Sequence, residues 1–560
     1  MKCSELPYRR YTVEEGREAF AVAETLMKNA KSAEDVLAAR KIMEELFTEY
    51  STAASLAGNR FNLDMRDGFY MKEVEYYDEV SPLFSDIAVR FNRMLLETPF
   101  RAELEKKINP RILRQAELSL KAFSPDTIEE CQTENATVTE YAKLMSGILF
   151  DWDGKKIPLS ALRGELENSD RDVRRRCAEE IGKGLSQHSS ELDGLYDRLV
   201  SVRTDIARKM GYPTFTELGY CRMGRLDYDA GMVASFRKNV LEDIVPVVSR
   251  LKKELADELG IGRIKFYDNE IYSAGPAPRP IPDKDGIFTA ASEMYDDMDP
   301  GIGAFMRKMR EAEAFDVEPR EGKWGGGYCT GFAKYKQPFI LANFNGSSGD
   351  VDVITHEFGH ALAQNFVYLE GDPDLDVGGM ETAECHSMSM EFLCWKYTEK
   401  FFGPLSDAYR KKHLLSALSF IPYGTIVDEF QHEMYARPEA TPAERKSIYR
   451  DLEAKYRPYL DWSGIPYLEE GTRWQFQMHI YESPFYYIDY CLAQTVALWF
   501  LIKSREDYDG ALRDYLTLVR TGGQKSFPEL LAAAGVPSPF EEGSLKRLAS
   551  EVLKIAETLK

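Results

Sequence analysis

The segment His356-Glu-Phe-Gly-His360 lies inside an apolar, proline-free stretch, residues 351–369, and it decides how this chain is interpreted. On a helix, residues four positions apart share a face, so both imidazoles can reach one ion. Neutral imidazole is a zinc ligand, and Glu357 can act on a water at the metal without ligating the ion. The segment predicts a helix with two zinc ligands, His356 and His360, and a general base, Glu357.

The scarcity of histidine strengthens this interpretation. The chain has only 7 histidines in 560 residues, so a chance match to the motif is expected on the order of 1% of the time. The alternative is a helix with two incidental histidines. The preceding loop, Asn345-Gly-Ser-Ser-Gly-Asp350, is typical of a turn that ends in a helix cap. The metal interpretation is therefore favoured.

A catalytic zinc needs a third protein ligand and an open fourth position. The candidates lie in Gly378-Gly-Met-Glu381-Thr-Ala-Glu384-Cys-His386, where two glycines predict a turn and the following run predicts a second helix. From the residues alone, Glu381, Glu384 and His386 all compete for this role. His386 is two positions from Glu384 and therefore points to a different helix face, which favours a polar surface or supporting role for it.

The composition and net charge restrict the classes of protein to which this chain can belong. The chain is 44% hydrophobic and 29% charged, which is typical of a globular protein, and its formal net charge is −21. This acidic balance disfavours nucleic acid and anionic membrane as partners. The longest apolar run, residues 491–502, is too short for a spanning helix, and residues 1–11 lack signal-peptide character. With eight scattered cysteines, the expectation is a reduced, cytoplasmic protein.

Helical patterns dominate the chain, which predicts a mainly α fold. Thr12 and Glu15 form a capping box that predicts one helix start, and Ser81-Pro82 predicts another. Strand-like sequence is confined to residues 328–344, immediately before the histidine helix. The expected fold is therefore helical, with a small β element beside the metal helix.

Two longer motifs in the sequence resemble those of a known family. The strings His356-Glu-Phe-Gly-His-Ala361 and Glu384-Cys-His-Ser387-Met-Ser-Met-Glu391 resemble the oligoendopeptidase F branch of the thimet oligopeptidase family of zinc metallopeptidases. In that family the third ligand opens an E-x-x-S-x-x-x-E pattern. The resemblance implies that Glu384 is the third ligand of one zinc ion per chain. It also implies that Ser387 and Glu391 support the ligands.

A third region belongs to the same resemblance. The string His479-Ile-Tyr-Glu-Ser-Pro-Phe-Tyr486-Tyr487-Ile-Asp-Tyr490 is similar to the segment that lines the family's cleft opposite the zinc helix. The resemblance implies that His479, Tyr487 and Tyr490 stabilise the charged intermediate, and that Tyr486 contacts substrate. Chemistry agrees, because an oxyanion needs preorganised O–H or N–H donors. The alternative is an aromatic helix face packed in the core.

The stretch Trp324-Gly-Gly-Gly-Tyr328 is too rich in glycine for an ordinary strand. A backbone that lies close to a substrate needs missing side chains, which makes Gly326, Gly327 and Tyr328 candidate substrate-binding residues. In the family that this chain resembles, the neighbouring strand edge pairs with extended peptide. The alternative is a flexible surface loop.

The family implies a neurolysin-like fold, in which two largely helical halves surround a deep substrate channel with zinc on its floor. We assign residues 1–180 to an N-terminal helical domain and residues 181–560 to the zinc-peptidase catalytic domain. The implied function is hydrolysis of internal bonds in short unfolded peptides. A dipeptidyl carboxypeptidase of the same family is one alternative. A helical peptide-binding protein with a structural zinc is another, which the intact Glu357 disfavours.

Overall fold

The computed structural model of the chain describes residues 1–372, 374–375 and 377–559. Within these ranges the fold is mainly α, as predicted, and none of the described helices has both the length and the apolar character of a membrane span. The first fourteen α-helices of the described chain are α1 (Val13–Asn29), α2 (Ala33–Leu63), α3 (Gly68–Glu97), α4 (Arg101–Leu104), α5 (Pro110–Ala122), α6 (Ile128–Gly147), α7 (Leu159–Gly164), α8 (Arg171–Ser186), α9 (Ser189–Lys209), α10 (Phe215–Arg222), α11 (Ala230–Asn239), α12 (Val245–Glu258), α13 (Lys284–Met298) and α14 (Pro300–Glu311).

The rest of the described chain contains ten more α-helices. They are α15 (Gly349–Glu370), α16 (Met380–Leu393), α17 (Glu399–Phe402), α18 (Ser406–Ala436), α19 (Pro442–Tyr456), α20 (Met478–Glu482), α21 (Tyr487–Glu506), α22 (Tyr508–Thr521), α23 (Phe527–Ala533) and α24 (Ser544–Thr558). Helix α16 packs against both α15 and α21, which places the histidine motif and the predicted third ligand in one region.

In the part of the chain that the structure describes, the strands are few and short and form three small sheets. They are β1 (Leu149–Trp152), β2 (Lys155–Pro158), β3 (Ile264–Lys265), β4 (Phe315–Asp316), β5 (Tyr328–Phe332), β6 (Gln337–Leu341) and β7 (Leu460–Asp461). β1 and β2 form a hairpin, β3 pairs with β7 in parallel, and the third sheet has the order β4-β6-β5. β5 is thus an edge strand, antiparallel to β6, and it packs beside α15. The predicted β element beside the metal helix is present.

Two helices begin at the capping residues that the sequence indicates. The hydroxyl of Thr12 accepts a hydrogen bond from the backbone N–H of Glu15, and the Glu15 carboxylate reaches back to the backbone of Thr12, so the predicted capping box begins α1. Asp170 likewise caps α8 by accepting from the N–H of Asp172. These helix starts need only neighbours in sequence.

The predicted helix start at Ser81-Pro82 is wrong, because Pro82 lies buried inside α3. A proline in a helix interior leaves the carbonyl four residues earlier without its N–H donor. Here that carbonyl belongs to Asp78, and the side-chain amide of Asn135 on α6 donates to it at 2.9 Å. The neighbouring helix therefore compensates for the missing hydrogen bond, and α3 continues through the proline.

Two small hydrophobic cores lie between residues 11 and 113, separate from the main core that the rest of the chain builds. Residue 180, the predicted domain boundary, lies within α8. The division into residues 1–180 and 181–560 stays a prediction.

Candidate metal centre and active site

A glycine lets the two ligand-bearing helices approach closely. A Cβ at Gly359 of α15 would lie 2.6 Å from the carbonyl oxygen of His386 and 2.7 Å from Cα of Ser387, both on α16. Neither backbone atom can move aside without shifting the helix, so a side chain at this position would push the helices apart. The close approach turns the histidine face of α15 toward α16.

The structure brings the three predicted ligands together at this contact. Oε2 of Glu384 lies 3.4 Å from Nε2 of His356 and 3.4 Å from Nε2 of His360. The three ligand atoms all lie within 4.8 Å of one another. The histidine side chains remain 21% exposed while Glu384 is 3% exposed, so the cluster opens to one side only. Two imidazole nitrogens and one carboxylate oxygen form a donor set that fits a divalent metal.

The two competing residues lie elsewhere on α16. Glu381 is buried and accepts from the hydroxyl of Thr382; burial, and next the charge of Asp489, raises its pKa to about 7. His386 is fully enclosed, its ring nitrogens contact no partner among the described residues, and burial lowers its pKa to about 3. Neither belongs to the cluster of ligand atoms found in the described chain.

A chain of hydrogen bonds behind His356 orients its ring. Nδ1 of His356 lies 2.6 Å from Oε1 of Glu391, and Oε2 of Glu391 lies 2.8 Å from Nε2 of His413. Because the indole N–H of Trp395 donates to Nδ1 of His413 at 2.8 Å, the proton of His413 is on Nε2 and points to Glu391. Glu391 therefore accepts from both imidazoles, which leaves the lone pair of His356 Nε2 facing Glu384.

The sequence interpretation identified Glu391 but missed His413 and Trp395. Both lie outside the motifs, on the segment that leads from α16 into α18. The only signal was the scarcity of histidine, since each of the 7 histidines in this chain merits a search for a partner.

Hydrogen bonds hold both carboxylate oxygens of Glu384. The hydroxyl of Ser387 donates to Oε2 of Glu384 at 3.0 Å, and the phenol of Tyr486 donates to Oε1. Burial raises the pKa of Glu384, but the two histidines outweigh it and hold this pKa well below its ordinary value. Burial by itself lowers the pKa of His356. Glu384 and Glu391 outweigh this effect and raise the pKa of His356 well above its ordinary value. The cluster is thus built to hold positive charge.

Glu357 lies beside the ligands on the buried side of α15. Burial raises its pKa, and the nearby histidines only partly oppose this effect. Burial also raises the pKa of the Cys329 thiol on β5, and the Glu357 carboxylate raises it further. The edge strand β5 therefore runs alongside the predicted base.

Across from α15, His479 is fixed as a neutral hydrogen-bond donor. Oε1 of Gln477 accepts from the phenol of Tyr423 and faces Nη2 of Arg473, so the Gln477 amide N–H must donate to Nδ1 of His479, 3.0 Å away. The proton of His479 is then on Nε2. Burial lowers the pKa of His479 to about 4, which keeps the ring neutral.

The three tyrosines predicted to line the site, Tyr486, Tyr487 and Tyr490, do not face the same way. The rings of Tyr486 and Tyr490 lie 4.9 Å apart, and the pKa of each is raised by burial and next by the charge of Glu384. Glu357 adds to the effect on Tyr490. The ring of Tyr487 instead packs 4.9 Å from His479 and 5.9 Å from Tyr423. Tyr490 thus lies beside Tyr486, whose phenol donates to Glu384, whereas Tyr487 packs against His479 and Tyr423.

Hydrogen bonds and close backbone contacts hold the glycine-rich loop in place. The amide of Asn343 donates to the carbonyl of Gly326 at 2.9 Å, and a Cβ at Gly327 would lie 3.4 Å from the carbonyl oxygen of Leu341. The phenol of Tyr328 donates to Asn59 on α2, at 3.0 Å. Tyr328 therefore anchors the loop to α2, and any contact of these residues with substrate stays a prediction.

Comparison with known proteins agrees with this geometry. The model of the Peptidase M3 N-terminal domain matches residues 3–123, and the model of Peptidase family M3 matches residues 302–550. The second match contains α15, α16 and α21, so it covers every predicted ligand and the His479 segment.

Solved structures show the same fold over the whole chain. A structure of PZ peptidase A with an inhibitor shares 40% identity with a TM-score of 0.97, covering 100% of this chain and 99% of that one. A protein assigned as oligoendopeptidase F from Bacillus anthracis shares 37% identity with a TM-score of 0.93, at 100% and 99% coverage. The predicted two-halved helical fold is thereby confirmed.

A more distant relative is Oligopeptidase PepF from Bacillus subtilis, which is 22% identical over 468 residues. The match covers 78% of this chain and 65% of that protein, so the chain spans about two thirds of its length. With two family models, full-length structural relatives and a His-His-Glu cluster in agreement, the chain belongs to peptidase family M3, in its oligoendopeptidase F branch, a family of metallopeptidases.

Proposed function

We propose that this chain is a zinc-dependent oligoendopeptidase that hydrolyses internal bonds of short unfolded peptides. One observation carries the proposal: the Glu384 oxygen lies 3.4 Å from each histidine nitrogen. Ligand atoms about 2.0–2.1 Å from a tetrahedral zinc lie roughly 3.3 Å apart. The cluster therefore fits zinc with His356, His360 and Glu384 as ligands and its open side toward the cleft.

When bound, zinc would polarise the scissile carbonyl and lower the pKa of water to roughly 7. Glu357 accepts a proton from the attacking water and delivers it to the leaving amine. Its burial suits this task, since a carboxylate with a raised pKa releases the proton more slowly to solvent than an exposed one and keeps it for the amine. Ser387 and Glu391 hold the ligands in place.

The opposite wall supplies donors for the developing oxyanion. His479 offers its Nε2 proton, and Tyr490 offers its phenol on the side of Glu384 and Glu357. Both groups are held by packing before substrate arrives, which is the condition for electrostatic stabilisation of a transition state. Tyr487, turned toward the channel wall, is the weaker candidate, and Tyr486 supports Glu384.

We assign peptide binding to the edge strand β5 and to the glycine-rich loop that precedes it. Among the described strands, β5 is paired on one side only, and an extended peptide can add to its other edge as a further strand. Gly326 and Gly327 keep side chains out of its path, and Tyr328 fixes the loop to α2. A cytoplasmic location and independence from nucleic acid and membrane belong to the same proposal.

Product analysis tests the function. A mixed peptide library is incubated with the protein, with and without a chelator, and the products are identified by mass spectrometry, alongside metal analysis of the protein. Internal fragments that disappear with chelator support the proposal. Exclusive release of dipeptides from the C-terminus would identify a dipeptidyl carboxypeptidase instead. Stoichiometric zinc with intact peptides would identify a peptide-binding protein with a structural metal.

A further inference from the structure

The backbone of Phe485 is strained. Its φ of 69° lies in the left-handed region, which a bulky residue adopts only when its surroundings hold it there. The turn Ser483-Pro484-Phe485 joins α20, which carries His479, to α21, which begins at Tyr487. The strained residue therefore sets the angle at which these two helices of the active-site wall meet.

Buried side chains hold both backbone polar groups of Phe485. Its N–H donates to Oε1 of Gln431 at 3.0 Å. Gln431 lies fully buried on α18, and its own amide N–H donates to the carbonyl of Val427 at 3.1 Å, so its oxygen is the atom that faces Phe485. The carbonyl of Phe485 accepts from Nη2 of Arg225. The strained conformation is thus fixed from two other segments of the chain.

Arg225, in the segment after α10, is itself held in place. Its Cζ lies 4.2 Å from the centre of the Tyr220 ring and 5.1 Å from the centre of the Tyr228 ring. The Nη2 that binds Phe485 also donates to Oδ1 of Asp489 at 3.1 Å, and the phenol of Tyr228 donates to the same oxygen. The side chains of Arg225 and Asp489 are each 1% exposed. One shielded guanidinium therefore joins the strained turn to the start of α21.

Two tyrosines of the site adjoin these anchored positions. Tyr486 directly follows the strained residue, and its phenol donates to Glu384. Tyr490 directly follows Asp489 on α21, and its ring centre lies 4.9 Å from that of Tyr486. Because neighbouring residues of a helix move together, a shift of Asp489 would move the phenol of Tyr490 with it.

A second buried arginine holds the other end of the turn. Arg203 on α9 donates through Nη2 to the carbonyl of Tyr481 at 2.6 Å and through Nε to Glu134 at 2.6 Å. The end of α20 is therefore fixed without help from Phe485. With this end fixed, the conformation of Phe485 decides the direction in which α21 begins.

We propose that Gln431 and Arg225 are positioning residues that hold Phe485 in its left-handed conformation and thereby place the phenol of Tyr490 for the reaction. This inference rests on the proposed peptidase function and adds to it residues that touch neither substrate nor metal. A donor that stabilises a transition state must be in place before substrate arrives. A misplacement of about 1 Å can cost a factor of about 100 in rate. Without these anchors, Phe485 relaxes to an ordinary backbone conformation and α21 begins in another direction.

The main test removes one anchor with little change in volume and none in charge. Gln431→Met keeps a long unbranched side chain but cannot hold the N–H of Phe485. We expect kcat for a cleavable peptide to fall roughly 10- to 100-fold, with KM within about threefold of wild type, at saturating zinc. Gln431→Glu keeps an acceptor oxygen and should recover part of kcat. A kcat for Gln431→Met within about threefold of wild type would overturn the inference.

A double variant shows whether the effect passes through Tyr490. If Gln431 acts by placing that phenol, Gln431→Met should lower the kcat of Tyr490→Phe by no more than about threefold. A loss as large as that in the wild-type background would overturn the inference, because the two residues would then act independently. If the wild type itself cleaves no peptide, the peptidase function fails, and this inference fails with it.

Controls separate positioning from stability. Thr425→Val, also on α18, removes a fully buried hydroxyl that donates to the carbonyl of Ile421 at 2.8 Å, and it should leave kcat unchanged even where the melting temperature falls. Equal losses of kcat in Thr425→Val and Gln431→Met would overturn the positioning role. Arg225→Lys is the second probe if Gln431→Met does not fold. Lysine keeps the charge beside Asp489 but is shorter and lacks the guanidinium fork, so kcat should again fall with little change in KM. A wild-type kcat in Arg225→Lys would overturn the inference.

Discussion

The two walls of the active site differ in how they are built. On one wall, α15 and α16 carry the ligands at spacings set by helix geometry, and one glycine contact joins the helices. On the other wall, around α20 and α21, a histidine and three tyrosines lie close together, and packing alone decides which way each ring faces. Spacing therefore identifies ligands well, while an aromatic cluster identifies only a region.

The largest effect is expected for Glu357→Gln, on the ligand wall. The amide has the same shape but cannot accept a proton at neutral pH. We expect kcat to fall about 1000-fold or more, with metal content and thermal stability unchanged. Activity within a few-fold of wild type, measured at equal metal content, would move the base to another residue.

On the aromatic wall, Tyr490→Phe removes one donor and little volume. We expect kcat to fall roughly 100- to 1000-fold with little change in KM, because the substrate carbonyl carries little charge before attack. Tyr487→Phe is the matched control, because the ring of Tyr487 packs against His479 and Tyr423. Equal kcat values for the two variants would remove the distinction between the tyrosines, and a larger loss for Tyr487→Phe would reverse it.

Comparison of Glu384→Ala with Glu381→Ala tests the choice of ligand on α16. Among the described residues, only Glu384 has an oxygen within reach of both histidines, so its loss should weaken metal binding more than about 100-fold, beyond the usual effect of supporting residues. Glu381→Ala should leave metal affinity within a few-fold. Metal content after dialysis measures both, and the opposite ranking would transfer the ligand role to Glu381.

The smallest effect is expected at His413, a positioning residue that acts through Glu391. His413→Ala should weaken metal binding roughly 10- to 100-fold, because Glu391 then holds His356 less firmly. His413→Gln can still donate to Glu391 and should restore part of the affinity. His432→Ala, on the same helix but bonded to Tyr220, is the control. Equal metal affinity in the His413 and His432 variants would assign His413 a purely structural role.

Individual helix starts show how much of the fold could be predicted from the sequence. The capping box at Thr12 was predicted and confirmed, because the cap and its partner are three residues apart. The predicted start at Pro82 was wrong, because the group that makes an interior proline tolerable, Asn135, lies on another helix. Local signals set helix ends only where no tertiary contact competes with them.

The same distinction applies to the active site. The sequence by itself predicted the ligand helix and the base, and the family resemblance of the longer pattern selected Glu384, since these depend on spacings within one or two helices. Tertiary structure alone decided that His413 holds the carboxylate that orients His356, and that Tyr490 packs beside Tyr486, whose phenol donates to Glu384. Each of these depends on contacts between segments far apart in the chain, whose relative placement follows from the packing of the whole core.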